Sequence, residues 1–489
     1  MDKKGFTLIE LLAVILILGI IALIAIPTVN NILDEAREGA FKQSINQIIK
    51  AIENDCMQRK IVGKEIITQY SFTSNGVIPQ INVKGSIPKE GYATVDNDCK
   101  VTLNASDNHY YTYTSGNNNV VLKEKKEAKV YGLRYDGTTY TRLNDAVGMV
   151  SNAGVNDEAV QNDFDNAEIY SEMKEITDHL GNSFILIPKF YIKKVVNGNT
   201  REWYISKEKK DENYYLPACF VDEDTNPIHS YILFGKFPAS LQYNNEEKII
   251  FNSKRNYGGR SSCSMTQCRE YALNNNTIDI TGYQVADVHM LDAIKALFYI
   301  EFATLNSQSI MMGISSQPEN SLYPNGLTDS VVASSGSVNN LTSTTSPMKY
   351  RGIENLWGYM WEYYDGVNVK NNTGEIYINK NAKLYTSDIT EGYEKIGYTR
   401  GPSGGWIKNL GWDPNYPFAE FPIEVGGNDS TGYGDYYYAN GDNAIQNYYA
   451  TGSMANGTQA GLNLISFTFN PAREHNYINF SSRLAKTPF

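Results

Sequence analysis

The chain has 489 residues, more than one ordinary domain requires, which sets an expectation of roughly two to four units. Its 54 acidic residues outweigh 43 Lys and Arg, and the resulting net charge of -11 repels phosphate backbones, so no nucleic-acid partner is expected. Hydrophobic residues make up 42%, enough for real cores, while mean hydropathy of -0.40 describes a mostly water-facing chain. The 36 Tyr against 18 Phe fit either an AT-rich coding sequence or a recognition surface, because tyrosine joins a large apolar face to a polar tip.

The chain opens MDKKGFTLIELLAVILILGIIALIAIPTVNN. Lys3 and Lys4 precede an apolar run from Phe6 to Ile26, which as a helix is roughly 31 Å long and just spans a bilayer. The positive flank keeps the short start in the cytoplasm. A secretory signal peptide fits poorly, since the run is long, lacks an A-x-A exit and continues into a helical pattern. A plain anchor leaves Glu10 unexplained, because a carboxylate in the membrane needs a partner.

Lys3-Lys4-Gly5-Phe6-Thr7-Leu8-Ile9-Glu10 resembles the cleavage and methylation motif of type IV prepilins. The resemblance implies cleavage by prepilin peptidase between Gly5 and Phe6, methylation of the new Phe6 amine, and pairing of Glu10 with the terminal ammonium of a neighbouring pilin subunit. Pro27 falls where such helices are commonly loosened, since its ring removes a helix hydrogen bond. Residues 1–5 would be the leader and 6–55 one transmembrane and assembly helix. Beyond Pro27 this helix turns amphipathic, with Ile32, Ala36, Ala40, Phe41, Ile45, Ile48, Ile49 and Ile52 at helical spacing.

Residues 56–122 read as a small β-rich, pilin-like head, with short runs such as Gly76–Val83 and Tyr110–Thr114 between turn formers. Residues 123–129 carry mixed charges and read as a linker. None of the five cysteines forms a C-x-x-C pair, which makes a zinc site a poor fit. In an exported chain Cys56–Cys99 and Cys263–Cys268 are the expected disulfides, with Cys219 left over and buried, although spacing alone leaves the connectivity open.

Residues 130–489 form a third, much larger block. SFILIPKFYIKKV reads as a strand, and Val288, Leu291, Ile294, Leu297, Phe298 and Phe302 define one face of an amphipathic helix over Asp287–Thr304. Asn355, Leu356, Trp357, Gly358, Trp361 and Glu362 spell N-x-W-G-x-x-W-E, and Ile187-Pro188-Lys189-Phe190-Tyr191 spells a short strand. With Asn456-Gly457, Ala460-Gly461 and Ser482-Arg483-Leu484, these residues resemble the C-type lectin fold. The similar branch includes formylglycine-generating enzymes, phage tail receptor-binding proteins and the variable proteins of diversity-generating retroelements. The resemblance implies an α+β chain: a long pilin helix, a small β-rich head and a large lectin-like ligand-binding domain. Trp357, Gly358, Trp361, Glu362 and Arg483 would be structural. The segment Gly452–Met454 departs from the pattern, since a tryptophan often stands there.

No enzyme is expected. The cysteines that formylglycine-generating enzymes use lie late in the domain, and here none follows Cys268. No H-E-x-x-H and no phosphate-binding loop occurs. No resident metal or other cofactor is expected; Ca²⁺ could be held only by scattered oxygens at Asp365, Asn428, Asp429 and Asp435, which read better as solvated loops. The tail from Tyr436 mixes aromatics with amides, the chemistry of a paratope. Tyr448, Tyr449, Asn456, Gln459, Asn463, Phe467, Phe469, His475 and Tyr477 are the expected ligand-binding residues, with an ordinary buried strand as the alternative for Phe467 and Phe469. The resemblance further implies that this stretch is solvent-facing and hypervariable.

The combined expectation is a minor or tip pilin, held in the cytoplasmic membrane by one helix and then displayed at the cell surface. Its lectin-like domain would bind an extracellular protein or glycan. The alternatives are a structural pseudopilin of a secretion or competence machine and a surface enzyme.

Overall fold

A computed structural model describes residues 39–488, apart from 74–75, 80, 82, 84–86, 89, 107–110, 117–118, 126–127, 223–227, 260–261, 279, 388, 390, 402, 440–444 and 469–478. The chain divides into two compact units, Met1–Ala128 and Lys129–Phe489.

The first unit joins one helix to one antiparallel sheet. Helix α1 covers residues 39–61, running past the Asp55 boundary expected from the sequence. Ile45, Ile48 and Ile52 recur every three or four residues, so they share a face, and all three are buried. They pack with Tyr70, Phe72, Ala93, Val95 and Leu103 of the sheet. Each fully buried isoleucine contributes about 1.5–3 kcal/mol. The sheet has strands β1 (Gln69–Thr73), β2 (Gly76–Ile78), β3 (Glu90–Val95), β4 (Val101–Ser106), β5 (Tyr111–Gly116) and β6 (Asn119–Lys125), in the order β2-β1-β3-β4-β5-β6. Strand β6 therefore continues into the stretch that reads as a linker. Cys56 near the end of α1 is bonded to Cys99 in the turn between β3 and β4. Beside it, Tyr70 donates to Asp55 at 2.6 Å and Arg59 to the same carboxylate at 2.7 Å. These two hydrogen bonds outweigh the upward push of partial burial and hold the Asp55 pKa below its usual value.

The second unit is β-rich and built around one buried helix, α3 (Val288–Phe302). Asp287 caps its start by accepting from Met290 N at 2.9 Å, and Ala303 ends it in the left-handed region with φ 50°. The sequence pattern predicts an amphipathic helix here. Instead every residue from Val288 to Phe302 is buried, including His289, Asp292, Lys295 and Glu301. The polar positions that look like a water face meet partners inside the protein. Glu301 takes two hydrogen bonds from Arg351, at 2.7 and 3.0 Å.

A five-stranded sheet runs Lys174–Thr177, Ser183–Pro188, Tyr231–Gly235, Leu484–Lys486, Tyr283–Val285, so the carboxyl-terminal strand lies inside it. A four-stranded sheet runs Tyr191–Asn197, Thr200–Ser206, Val130–Tyr135, Tyr140–Asn144. The run expected as one strand is therefore two, in different sheets, with the break at Lys189 and Phe190. A nine-stranded sheet includes Trp361–Lys370, which pairs antiparallel with Ile445–Ala450 and parallel with Phe480–Ser482. Helix α2 (Met265–Leu273) opens on a capping box in which Ser264 and Gln267 bond each other reciprocally. Cys263 is bonded to Cys268, and Cys219 is free and buried.

Candidate functional site

The processing residues Gly5 and Phe6 and the assembly residues Glu10 and Pro27 lie outside the described residues, as does the whole apolar run Phe6–Ile26. Among the described residues no helix is long and apolar enough to cross a membrane.

Among the described residues, the tail does not form the exposed face that its composition suggests. Tyr448 is 1% exposed, and Tyr449, Asn463 and Phe467 are fully buried. Their strand, Ile445–Ala450, lies between Trp361–Lys370 and Ile465–Ser466, and both of its faces are covered. Successive side chains point to opposite faces, so Tyr448 enters the core around α3 while Tyr449 enters the core with Tyr363 and Phe480. Asn463 accepts from Tyr299 Oη and donates to Leu305 O at 2.9 Å. Asn456 and Gln459 are half-buried and tied to Tyr438, whose hydroxyl accepts from Asn456 at 3.2 Å and donates to Gln459. Tyr448, Tyr449, Asn463 and Phe467 are therefore packing and hydrogen-bonding groups with no face toward solvent, whereas Asn456 and Gln459 keep part of theirs. Phe469, His475 and Tyr477 lie outside the described residues.

The structural motif is brought together as a lock. Arg483 uses all five of its N–H groups inside the protein. Nε meets the Glu362 carboxylate at 2.9 and 3.0 Å, Nη1 reaches Gly235 O and Lys236 O at 3.2 Å each, and Nη2 reaches Glu354 O at 2.8 Å and Asn355 O at 2.9 Å. Arg483 is fully buried and Glu362 is 1% exposed. Burial pushes the Glu362 carboxyl upward, opposed by Arg483 and by a hydrogen bond from Tyr364 at 2.6 Å. Trp357 donates to Met311 O at 2.9 Å. Gly358 has φ +86°, and a Cβ there would sit 3.2 Å from Ile314 O, so a side chain would be strained by its backbone and crowded by that carbonyl. Trp361 stacks over Phe480. Met454, in the segment Gly452–Met454, is fully buried and packs with Ile314, Tyr359 and Met360.

The scattered oxygens weighed for Ca²⁺ have other work. Asp365 is bridged by Arg269 at 2.5 and 3.0 Å, and Asp435 is buried, accepting from Asn463 N at 2.7 Å. Among the described residues no three His, Cys, Asp or Glu side chains are grouped as metal ligands.

Two of the open cavities formed by the described residues of the second unit are lined by charged side chains. One, of about 410 Å³, is lined by Tyr135, Asn199, Lys408, Asn409, Glu424 and the glycine-rich loop near Gly432. Tyr135 stacks on Tyr140 with centroids 4.8 Å apart, and Tyr140 donates to Gly432 O at 2.8 Å. The other, of about 430 Å³, is lined by five cations, Lys174, Lys236, Arg255, Lys349 and Arg351, against two carboxylates, Glu175 and Asp329. Lys236 lies 2.8 Å from Glu175 and 3.5 Å from Asp329, and Arg255 pairs with Asp329. Arg351 is spent on Glu301 and Asp165. Lys349 donates to Val331 O at 2.5 Å and has no carboxylate within ion-pair distance among the described residues. Burial and then the charge of Lys236 push its pKa down, and the charge of a bound anion would oppose that shift. No sequence pattern marks this cavity, because its five cations come from four separate segments, with Lys349 and Arg351 sharing one.

No curated protein matches the chain. Residues 1–26 match the family described as the prokaryotic N-terminal methylation motif, which supports a type IV pilin-like prepilin amino terminus and suggests processing by prepilin peptidase, membrane anchoring and assembly with other pilin subunits.

Proposed function

We propose that the protein is a minor or tip subunit of a pilus-like fibre and that Lys129–Phe489 is a lectin-like domain binding an anionic extracellular ligand. The observation that carries the reading is the pairing of a methylation motif at residues 1–26 with a separate compact unit of that size. A head this large would crowd a fibre built from many copies, which favours a minor position. The support for a lectin-like arrangement is the lock itself, which draws the N-x-W-G-x-x-W-E segment and the terminal Arg483 into one buried cluster. The ligand face is the cation-lined cavity. Its surplus of positive charge stands out against a chain of net charge -11.

The test uses the full-length protein in a host with a working prepilin peptidase. Processing should expose Phe6, and Gly5→Asp should leave the leader attached. Cells displaying the protein should bind acidic glycans over neutral ones, and Lys349→Gln should lower that binding about tenfold, the loss of one charge-assisted contact. Processing without binding to any acidic or neutral glycan would favour a structural pseudopilin. Binding indifferent to Lys349 would move the ligand face elsewhere.

A further inference from the structure

Around α3 the second unit buries four charged side chains that the reading above does not use. The Lys194 side chain, from strand Tyr191–Asn197, is 1% exposed. Asp292 and Lys295 of α3 are 3% and 2% exposed, and Glu420 of strand Tyr416–Val425 is 2% exposed. Lys194 Nζ lies 2.6 Å from Asp292 Oδ1 and 3.1 Å from Glu420 Oε1. Tyr215 donates to the other Asp292 oxygen at 3.2 Å, and Trp203 Nε1 donates to Glu420 Oε1 at 2.7 Å. Glu420 Oε2 is buried with no hydrogen-bond partner. The ammonium lies over the Trp412 ring, 5.6 Å from its centroid, and Trp203 packs edge-on to Tyr299.

An ordinary buried ion pair would explain two of these groups, but an amine held by two carboxylates among aromatic rings is also a reactive arrangement. A lysine nitrogen 2.6 Å from a carboxylate oxygen is on the order of 3.5 Å from its carbon, near-attack range, and neither side chain has room to leave. In a dry site the charged pair loses its solvation advantage over neutral amine beside carboxylic acid. Burial does push the Asp292 carboxyl upward, although Asp292 and Glu420 together keep the Lys194 ammonium favoured against its own burial. A proton acceptor touching the amine is then required, and Glu420 is in place.

We propose that Lys194 and Asp292 condense into an intramolecular amide cross-link, with Glu420 as the proton carrier. Glu420 takes one proton from the ammonium and delivers it to the Asp292 carboxylate. The nitrogen lone pair adds to Cγ, and the Tyr215 hydroxyl stabilises the oxygen that gains charge. The bond from Cγ to the protonated oxygen breaks. The nitrogen's second proton follows through Glu420 onto that oxygen, which departs as water, and the third proton remains on the amide. Glu420 ends as it began. No oxidant, reductant or cofactor is involved, and two opposite buried charges vanish. The bond would close a loop of 98 residues between the four-stranded sheet and the buried helix.

The test is mass spectrometry on the full-length protein, purified from membranes in detergent, reduced and alkylated. A tryptic digest should contain one branched peptide that joins the Lys194 and Asp292 segments and is lighter than their sum by one water. Trypsin should not cleave after Lys194. Glu420→Gln should restore separate peptides and cleavage at Lys194. Separate peptides from the folded wild-type protein would overturn the cross-link, and a water loss mapping to any other pair would overturn it equally. A bond that forms as completely in Glu420→Gln would remove Glu420 from the reaction. The wild-type digest decides the bond even where a variant fails to fold, and it is independent of whether the protein binds any ligand.

Discussion

The two units hold themselves together by different means. In the first, the core is one helix face on one sheet, and the Cys56–Cys99 bond joins residues 43 apart. In the second, the Cys263–Cys268 bond joins residues only 5 apart, and the segments distant in sequence are joined by buried arginines. A disulfide stabilises mainly by restricting the unfolded chain, so its effect grows with the loop it closes, from about 2 kcal/mol for the short loop to about 4 kcal/mol for the long one. A small core needs that contribution; a large one can fix its topology with ions that solvent cannot reach.

Four measurements would break or sharpen this contrast. The largest effect is expected from Arg483→Ala, which strands the buried Glu362 and frees four carbonyls. It should destabilise the second unit by about 3–5 kcal/mol or more, read by denaturant unfolding, with hydrogen exchange in the β1–β6 sheet unchanged. Next, replacing Cys56 and Cys99 by Ser should remove about 4 kcal/mol from the first unit alone, seen as loss of exchange protection in α1 and β1–β4. Third is Lys295, whose folded pKa burial lowers from 10.5 to about 8. Between those values the unfolded state binds more protons, so stability should rise with pH from about 8 upward. The effect is up to about 3 kcal/mol over the full interval. Lys295→Met should flatten that slope. Buried tyrosines such as Tyr448, whose pKa burial raises, act in the opposite direction above pH about 10, so the slope is to be read below that. The smallest effect, about 2 kcal/mol, is expected from replacing Cys263 and Cys268 by Ser.

The amino-terminal motif was fully legible because prepilin processing reads residue types in order along the chain. The mixed charges of residues 123–129 lie beside the division after Ala128, but the first of these residues belong to strand β6. The tail was not legible. Tyr448 and Tyr449 look like a recognition pair because adjacent tyrosines on an edge strand would offer one ring to water. The sequence does not say that their strand is interior, with a separate core on each face. Helix α3 misled in the same way: Asp292, Lys295 and Glu301 mark a wet face only if no other segment brings opposite charge to them. Lys194, Arg351 and Glu420 do so, from positions that no local pattern connects.

The bond between Cys56 and Cys99 also decides where tension would go. A fibre subunit under shear is loaded along its helix, and noncovalent packing of Ile45, Ile48 and Ile52 against a sheet can peel one contact at a time. A covalent tie near the far end of α1 stops such peeling before it reaches the last turn. The load passes into the β3–β4 turn, where it meets a row of backbone hydrogen bonds together rather than singly. Reduced protein would therefore yield to force at lower load than oxidised protein, even under conditions where both are folded at rest.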